Sequence, residues 1–334
     1  MMTDIPVVIA HFGNKPEYLK CALDAAARWN RTVFLLGDDQ NRDLWPYHFN
    51  ATGINLPKWQ EFQRVYVKFS NYPDFYEWAF WFRMFFLEFW MQNEGWRQAF
   101  LLDSDSVTFA NYTQELQFLW KQGYIAGLVT PKRPDDCLLW HSSPEFSYWT
   151  IEAITNFTDF CINAYSSPDY LNLFRQFFQQ RLEAGLGGGV CEMTLLNEWS
   201  KDKTGIYNFA QVFSSSNSDS VTFDALIQSS GNYVREEDYV TPFGIKKVSF
   251  PKGEYITKFG VKVFRFKHGQ PYCYNLMLQK DIRFLGIQCA GGYKFLMKRF
   301  MSPVWRHLYL WEVGLRKVRH RLYKNIDKYR LRKI

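Results

Sequence analysis

A short apolar run that ends in two closely spaced carboxylates constrains the fold of this chain more than any other feature. Residues 99–102 are continuously apolar and lead directly into Asp103, Ser104 and Asp105. Such a run predicts a strand buried on both faces, which is typical of parallel sheets. In open α/β sheets, ligands bind outside the carboxyl ends of the strands. We therefore expect Asp103 and Asp105 to lie at a ligand-binding edge.

The spacing of these two carboxylates predicts a metal site. Asp103 and Asp105 repel each other unless a cation lies between them. Oxygen ligands favour Mg²⁺ or Mn²⁺ over zinc, so the expected cofactor is Mn²⁺ or Mg²⁺. The alternative is an ordinary strand end followed by a polar turn, because Asp and Ser are frequent in turns.

The first forty residues predict a strand, a helix and a second strand. Residues 5–10 and 32–37 are apolar runs, and apolar residues recur between them at helical spacing. The two strands of such a βαβ unit are parallel and joined by a right-handed crossover. Ligand-binding groups are then expected at both strand ends, namely His11 and Phe12 after the first strand and Asp38 after the second. For His11 the alternative is a histidine that merely ends a strand.

Residues 74–92 predict an aromatic helix before the strand that carries Asp103. Arg83 lies among aromatic residues of this helix, and a buried cation needs an anionic partner. Two kinds of partner are open, a carboxylate of the same helix (Glu77 or Glu88) or a bound phosphate.

The middle of the chain predicts a strand at 124–129 and helices at about 147–165 and 169–184. A glycine-rich segment, residues 185–189, then leads into a helix that begins near Glu192. Backbone amides in a glycine run can approach an anion or a sugar closely. The helix dipole alone would favour Glu192 at this position. The other interpretation is a catalytic or acceptor-binding carboxylate.

Short β-like runs fill residues 206–280, and we find no internal repeat, low-complexity segment or long linker. The expected fold is α/β, with a central mostly parallel sheet flanked by helices and a basic C-terminal helix. The expected organisation is one domain over residues 1–303, followed by a basic amphipathic helix over residues 304–334.

Several of these segments resemble the nucleotide-sugar-dependent glycosyltransferases of the GT-A fold, over roughly residues 4–300. The chain is similar to them in its opening βαβ unit, in Arg83 and in Asp103-Ser104-Asp105, which resembles the family's DxD motif. Residues 188–196 resemble a loop and helix that bacterial and algal members carry with Asp in place of Glu192. The Gln288-x-x-Gly291-x-x-Lys294 pattern resembles the His-x-x-Gly-x-x-Lys element of the glycogenin and galactosyltransferase-like branch.

The resemblance implies a role for each of these residues. Asp103, Asp105 and Gln288 would hold the metal, and Asp103 would alternatively hold the donor ribose. Gln288 stands where the family has histidine, and an amide oxygen is a weaker Mn²⁺ ligand than imidazole. Three consequences are open: reduced metal affinity, Mg²⁺ as the metal, or impaired activity. The catalytic residues would be Glu192 and Asp103. The residues expected at the nucleoside and the phosphates are His11, Phe12, Asp38, Arg83, Asp103 and Lys294.

The function implied is the metal-dependent transfer of a hexose from a nucleotide diphosphate sugar, with a UDP-sugar favoured, to a glycan or lipid-linked acceptor. One alternative is a GT-A-like pseudoenzyme that binds nucleotide or glycan without catalysis, which Gln288 favours. A nucleotidyltransferase is a further alternative. It would need a glycine-rich phosphate loop after the first strand, whereas residues 11–16 contain only one glycine.

The positive charge of the chain is concentrated at its C-terminal end. Residues 305–334 hold ten Lys and Arg against two acidic residues, so this segment accounts for the whole net charge of +7. A basic amphipathic helix with tryptophans is typical of binding to an anionic membrane surface. The alternative is a basic helix packed on its own domain. Nucleic acid is not an expected partner, because the rest of the chain shows no basic stripe.

Cysteine spacing and hydropathy bear on where the chain acts. The six cysteines include no Cys-x-x-Cys pair, which favours a reducing compartment. No signal peptide is recognisable, and the most apolar segment, residues 75–91, carries three charges, which argues against a membrane span. The expected location is the cytoplasm, with peripheral binding to the cytoplasmic face of a membrane.

Overall fold

The computed structural model describes residues 4–130, 142–201, 203–215, 219–229, 237–241, 244–248 and 254–319. In these ranges the strands are β1 (Val7–Ala10), β2 (Val33–Gly37), β3 (His48–Asn50), β4 (Gln98–Asp103), β5 (Ser106–Thr108), β6 (Ala126–Val129), β7 (Ser143–Thr150), β8 (Ile206–Asn208), β9 (Phe213–Ser214), β10 (Ser220–Asp224), β11 (Glu237–Thr241), β12 (Gly244–Val248), β13 (Thr257–Lys258), β14 (Val261–Lys262), β15 (Arg265–Lys267), β16 (Gln270–Asn275) and β17 (Lys280–Gln288).

Helices alternate with these strands in the first two thirds of the chain. They are α1 (Glu17–Trp29), α2 (Pro57–Val65), α3 (Asp74–Asn93), α4 (Tyr112–Glu115), α5 (Phe118–Lys121), α6 (Ile151–Ser166), α7 (Pro168–Glu183), α8 (Glu192–Ser200) and α9 (Phe295–Met301). Short 3₁₀ turns occupy Gly291–Tyr293 and Trp305–Leu308, and residues 309–319 are helical.

The central sheet has the strand order β3-β2-β1-β4-β7-β6-β8. Its strands are parallel except for β7, which is antiparallel to both β4 and β6. The predicted α/β class, with a central mostly parallel sheet flanked by helices, is confirmed. The βαβ unit is confirmed as well, since β1 and β2 are parallel and α1 joins them.

The strand before Asp103 is buried on both faces, as its apolar run predicts. Phe100 and Leu102 face one hydrophobic core, which contains the apolar side of α1. Ala99 and Leu101 face the other core, which contains the aromatic helix α3. Because side chains alternate along a strand, a continuous apolar run supplies both cores at once. The sheet therefore lies between two packed layers.

A second sheet covers the face of the central sheet on which α1 packs. Its strand order is β15-β16-β17-β10-β9, and β5 pairs with β17. The pairing places Gln288, the last residue of β17, opposite Ser106, the first residue of β5. Since Ser106 directly follows Asp105, the end of β17 is brought to the end of β4.

The helix predicted at about 147–165 is wrong at its start. Residues 143–150 form strand β7, and α6 begins only at Ile151. Strand β7 is inserted between β4 and β6, and seven of its eight residues are buried. In a strand that is buried on both faces, apolar and polar residues do not alternate. Its apolar pattern therefore does not distinguish it from a buried helix. The helices predicted at 74–92 and 169–184 are present as α3 and α7.

The predicted C-terminal helix is described only as far as residue 319. Tyr309 and Val313 pack into the same core as α1, while residues 320–334 lie outside the described ranges. No helix in the described part of the chain has the length and apolar character needed to cross a membrane.

Candidate functional site

The candidate site lies at the carboxyl ends of β1, β2 and β4. Asp103 is the last residue of β4 and is paired in register with Ala10, the last residue of β1. His11 therefore leaves the sheet beside the Asp103–Asp105 segment, and Asp38 follows the adjacent strand β2. A cavity of about 480 Å³ opens at this edge.

Six of the residues predicted from sequence line this cavity. They are His11, Phe12, Arg83, Asp103, Asp105 and Lys294. The other three, Asp38, Glu192 and Gln288, do not line it, but each forms a hydrogen bond with a residue that does. Residues that lie more than 280 positions apart in the chain are thus brought to one site.

Arg83 connects two carboxylates across the wall of the cavity. Its Nη1 donates to Oδ1 of Asp103 at 2.5 Å, and its Nη2 donates to Oε1 of Glu192 at 2.7 Å. All three side chains are mostly or fully buried. Burial alone would lower the pKa of Arg83, but Asp103 and Glu192 raise it above its usual value. Arg83 is therefore a fixed cation at this site.

The predicted partners of Arg83 within its own helix, Glu77 and Glu88, are wrong. Glu77 accepts a hydrogen bond from Tyr66, and Glu88 forms an ion pair with Lys58 at 2.8 Å. Side chains contact each other on a helix when they are three or four positions apart. Glu77 and Glu88 lie six and five positions from Arg83, so they face other neighbours.

One carboxylate oxygen of Asp105 is paired with a cation, and the other has no hydrogen-bond partner among the described residues. Nζ of Lys294 lies 3.3 Å from Oδ2, and this ammonium also lies 4.2 Å from the centre of the Tyr18 ring. Oδ1 is buried and has no hydrogen-bond partner among the described residues. Burial and the neighbouring charge of Asp103 raise the pKa of Asp105. A cation bound at Oδ1 would stabilise the charged carboxylate and so offset both its burial and its repulsion by Asp103.

Gln288 lies beside the two aspartates, where the resemblance places a metal ligand. Its Nε2 donates to Oδ2 of Asp103 at 3.3 Å. Within the described ranges, no three His, Cys, Asp or Glu residues form a group that could hold a metal ion. Among the described residues, the oxygen-bearing side chains that lie together here are Asp103, Asp105 and the amide of Gln288. Such an all-oxygen set, with the unpartnered Oδ1 of Asp105, fits Mg²⁺ or Mn²⁺.

Glu192 is the first residue of α8 and is almost completely buried. Its Oε2 has no hydrogen-bond partner among the described residues, while Oε1 accepts from Arg83. Burial raises the pKa of Glu192, although Arg83 opposes this shift. A carboxylate with a raised pKa is suited to accept a proton near neutral pH.

The glycine-rich segment before Glu192 packs closely against residues 69–70, which precede α3. Gly189 adopts φ = +146° and forms an isolated bridge with Ser70. A Cβ on Gly189 would lie 2.2 Å from the carbonyl oxygen of Phe69, so only glycine fits this approach. The close approach of Gly189 is made to the chain itself, and the predicted approach of this segment to an anion or a sugar stays a prediction.

Glu145 lies next to Asp103 but was not among the residues predicted from sequence. In the pairing of β4 with β7, Leu102 lies opposite Phe146, which brings Glu145 next to Asp103. Oε1 of Glu145 is buried with no hydrogen-bond partner in the described part of the chain. Burial raises the pKa of Glu145 well above its usual value, and the charge of Asp103 adds to the shift. An acidic residue within a buried strand was the signal that could have identified it.

The residues predicted at the nucleoside hold the loop after β1 in place. His11 Nδ1 lies 3.0 Å from Oγ of Ser104, and Oδ2 of Asp38 accepts from the amide of Gly13 at 2.6 Å. Burial lowers the pKa of His11, which favours the neutral imidazole. The Phe12 ring is buried and packs edge-on against Phe82.

Two exposed aromatic residues at the mouth of the cavity also escaped prediction. Phe75 and Tyr76, in the first turn of α3, line the cavity and are more than half exposed. Exposed rings beside a polar cavity can stack on a base or a sugar. Neither residue was given a role from the sequence alone.

No model of a known protein family matches the chain, and no curated protein matches it in sequence. Among solved structures, the chain is similar to mouse xyloside xylosyltransferase 1 in its apo form. The identity is 10%, the match covers 62% of this chain and 85% of that one, and the TM-score is 0.41. It is also similar to an active-site mutant of LgtC, with 11% identity, coverage of 61% and 72%, and a TM-score of 0.38. Both TM-scores are below 0.5, so these two likenesses carry no argument about function.

Proposed function

We propose that this chain is a metal-dependent glycosyltransferase of the GT-A type. It transfers a hexose from a nucleotide diphosphate sugar, with a UDP-sugar favoured, to a glycan or lipid-linked acceptor. The observation that carries this proposal is the cavity at the ends of β1 and β4, where Asp103 and Asp105 lie together with Arg83 and Lys294. A diphosphate and a divalent cation need these two kinds of charge side by side.

Asp103, Asp105 and Gln288 would hold Mn²⁺ or Mg²⁺. When bound, this metal would supply positive charge to the leaving nucleoside diphosphate. The supporting observation is the unpartnered Oδ1 of Asp105. Asp103 would alternatively orient the donor ribose, since its carboxylate lines the same cavity.

Arg83 and Lys294 would bind the phosphates of the donor. Both line the cavity, and each forms an ion pair with an aspartate there, Arg83 with Asp103 and Lys294 with Asp105. Donor binding would then exchange part of an internal ion pair for contacts to phosphate, an anion that guanidinium and ammonium groups commonly bind in proteins. His11, Phe12 and Asp38 would shape the nucleoside end of the cavity, and Phe75 and Tyr76 would stack on a ring at its mouth.

Glu192 would act on the acceptor hydroxyl, either as a base or by orienting it. Its raised pKa and its unpartnered Oε2 support a proton-accepting role. The hydrogen bond between Glu192 and Arg83 would connect the residue that acts on the acceptor to a residue that binds the donor phosphates.

A GT-A-like pseudoenzyme is the second candidate. The observation that favours it is that Lys294 and Gln288 already occupy the carboxylates of Asp105 and Asp103. Such a protein would bind nucleotide or glycan without a requirement for a divalent cation. Metal dependence therefore separates the two candidates.

The release of nucleoside diphosphate tests the proposed activity. The protein would be incubated with UDP-hexoses and GDP-hexoses, with Mn²⁺, with Mg²⁺ or with chelator. We expect release that needs metal and that falls by at least about 100-fold in Asp103→Asn. Asp169→Asn, an exposed carboxylate on α7, is the matched control and should keep full activity. Release that is equal in the two variants, or no release with any donor, would contradict the proposal.

A further inference from the structure

An exposed apolar stripe runs along the C-terminal helical segment, residues 305–319. Its members are between 45% and 72% exposed and recur every three or four positions, which places them on one side of the helix. They are Trp305, Leu308, Trp311, Leu315 and Val318. The opposite side is already used, because Tyr309 and Val313 are buried in the core. The segment therefore has a second apolar side, whose side chains stay at least 45% exposed among the described residues.

The tip of the β13–β14 hairpin adds a further exposed ring to this stripe. Phe259 is 45% exposed, and its ring atoms lie 3.2–3.5 Å from the position that a Cβ on Gly314 would occupy. Phe259 has φ = +52° and Gly260 has φ = +68°. Two-residue hairpin tips with positive φ favour Asn, Asp and Gly, so a phenylalanine here is costly. Backbone strain of this kind is kept where the side chain has a use.

The surroundings of the stripe are basic. Lys258 lies beside Phe259, and Nζ of Lys317 lies 2.8 Å from the position that a Cβ on Gly260 would occupy. Glu312 is the one acidic residue within 305–319, and it is already paired with Arg299 and Arg316. Beyond the described helix, residues 320–334 add six Lys and Arg and one Asp in sequence.

We propose that this C-terminal apolar surface, formed by the 305–319 stripe and the Phe259 tip, binds an anionic membrane surface. Tryptophans and aliphatic residues flanked by cations are typical of helices that lie at the headgroup boundary. A second copy of the chain would bring like charges together. A nucleic acid would pair with the cations but would leave the apolar stripe uncovered. This inference does not depend on the proposed enzymatic function.

The surface also lies close to the candidate site. Lys294 lies in the cavity, and the next residue, Phe295, packs its ring under the guanidinium of Arg316 at 3.6 Å. Short helix α9 then leads to the stripe, and its Arg299 pairs with Glu312. Membrane binding would therefore hold the cavity near the lipid headgroups.

Vesicle co-sedimentation of the full chain tests this proposal. Vesicles of phosphatidylcholine alone would be compared with vesicles that also contain phosphatidylserine. We expect binding to the anionic vesicles only, and a loss of at least about tenfold in affinity in the double variant Trp311→Ser/Leu315→Ser, because two large apolar side chains no longer enter the interface. The matched control is Leu173→Ser/Leu182→Ser, which removes two exposed leucines from α7 and should bind like the original chain.

The strained tip provides a second variant that need not disturb folding. Because asparagine tolerates positive φ, Phe259→Asn should keep or raise the midpoint of thermal unfolding. We expect it to lower the affinity for anionic vesicles at the same time. Unchanged vesicle binding with lower thermal stability would show that Phe259 serves packing alone and would overturn its place in the surface.

Other results would overturn the proposal as a whole. One is equal binding to neutral and anionic vesicles, and another is equal binding by the Trp311/Leu315 variant and the original chain. A third is concentration-dependent dimerisation in analytical ultracentrifugation that the same double variant abolishes. That last result would assign the surface to a second copy of the chain.

Discussion

Nη2 of Arg83 lies 2.7 Å from Oε1 of Glu192, although the two residues are 109 positions apart in the chain. This contact joins the aromatic helix α3 to the first turn of α8. Nη1 of the same guanidinium donates to Asp103 at the end of β4. One buried cation thus connects the acidic segment after β4 to the glycine-rich segment before α8. The geometry of the candidate site depends on it.

Removing the charge of Arg83 should destabilise the protein strongly. Arg83→Met leaves the buried carboxylates of Asp103 and Glu192 without their cation, and the free energy of unfolding should fall by about 3–5 kcal/mol. Arg83→Lys keeps the charge but has one nitrogen in place of the two Nη groups. Its free energy of unfolding should therefore fall by less than that of Arg83→Met. Urea unfolding measures both. Arg175→Met, an exposed arginine on α7, is the control, and an equal loss in Arg83→Met and in this control would contradict the account.

Glu145 should make stability depend on pH. Its pKa is raised by burial, so the folded chain holds a proton that the unfolded chain, with a pKa of about 4.3, has already lost. Stability contributed by this group therefore falls as pH rises above about 4.3. Glu145→Gln resembles the protonated acid, and we expect similar stability at about pH 4, below the unfolded pKa, and a more stable variant at about pH 8. Urea unfolding curves with the same pH dependence in both chains would argue against a raised pKa.

Gly189 should not tolerate a side chain. With φ = +146° and backbone atoms of Phe69 and Ser70 within 2.5 Å of the added Cβ, Gly189→Ala should cost about 2–5 kcal/mol of stability. Gly187→Ala is the matched control, since its Cβ would meet only Asn71 at 4.0 Å and its φ is not positive. Thermal unfolding of both variants measures the difference. Similar midpoints would contradict the close approach described here.

Gln288→His should strengthen the proposed metal site. Imidazole is a better ligand for Mn²⁺ than an amide oxygen, and position 288 lies beside Asp103. We expect Mn²⁺ to bind at least several-fold more tightly to the variant, with little change for Mg²⁺. Titration of each metal by calorimetry provides the measurement. A variant with weaker or unchanged Mn²⁺ binding would exclude residue 288 from the ligand set.

Features that depend on neighbouring residues were predictable from sequence. The apolar run before Asp103 predicted a buried strand, and its position between two cores explains why no polar residue interrupts it. The βαβ unit was predictable for the same reason, because helical spacing and strand runs are local patterns. His11 and Asp103 met at one edge because parallel strands end together.

Contacts between distant segments were not predictable. The partners of Arg83 lie 20 and 109 positions away, and nothing within α3 indicates which carboxylate will reach it. Glu145 was missed because the aromatic run of β7 has the composition of a buried helix as well as of a buried strand. Its position next to Asp103 follows from the antiparallel pairing of β7 with β4, which single-sequence patterns do not contain.

Binding of UDP and GDP, with and without Mn²⁺, tests the central claim most directly. Isothermal titration calorimetry would compare the original chain, Asp105→Ala and the control Asp169→Ala. We predict binding of one nucleotide that needs Mn²⁺, persists in the control and is lost in Asp105→Ala, because Oδ1 of Asp105 has no hydrogen-bond partner among the described residues. Nucleotide binding that is indifferent to both the metal and the Asp105 substitution would contradict a metal-dependent donor site.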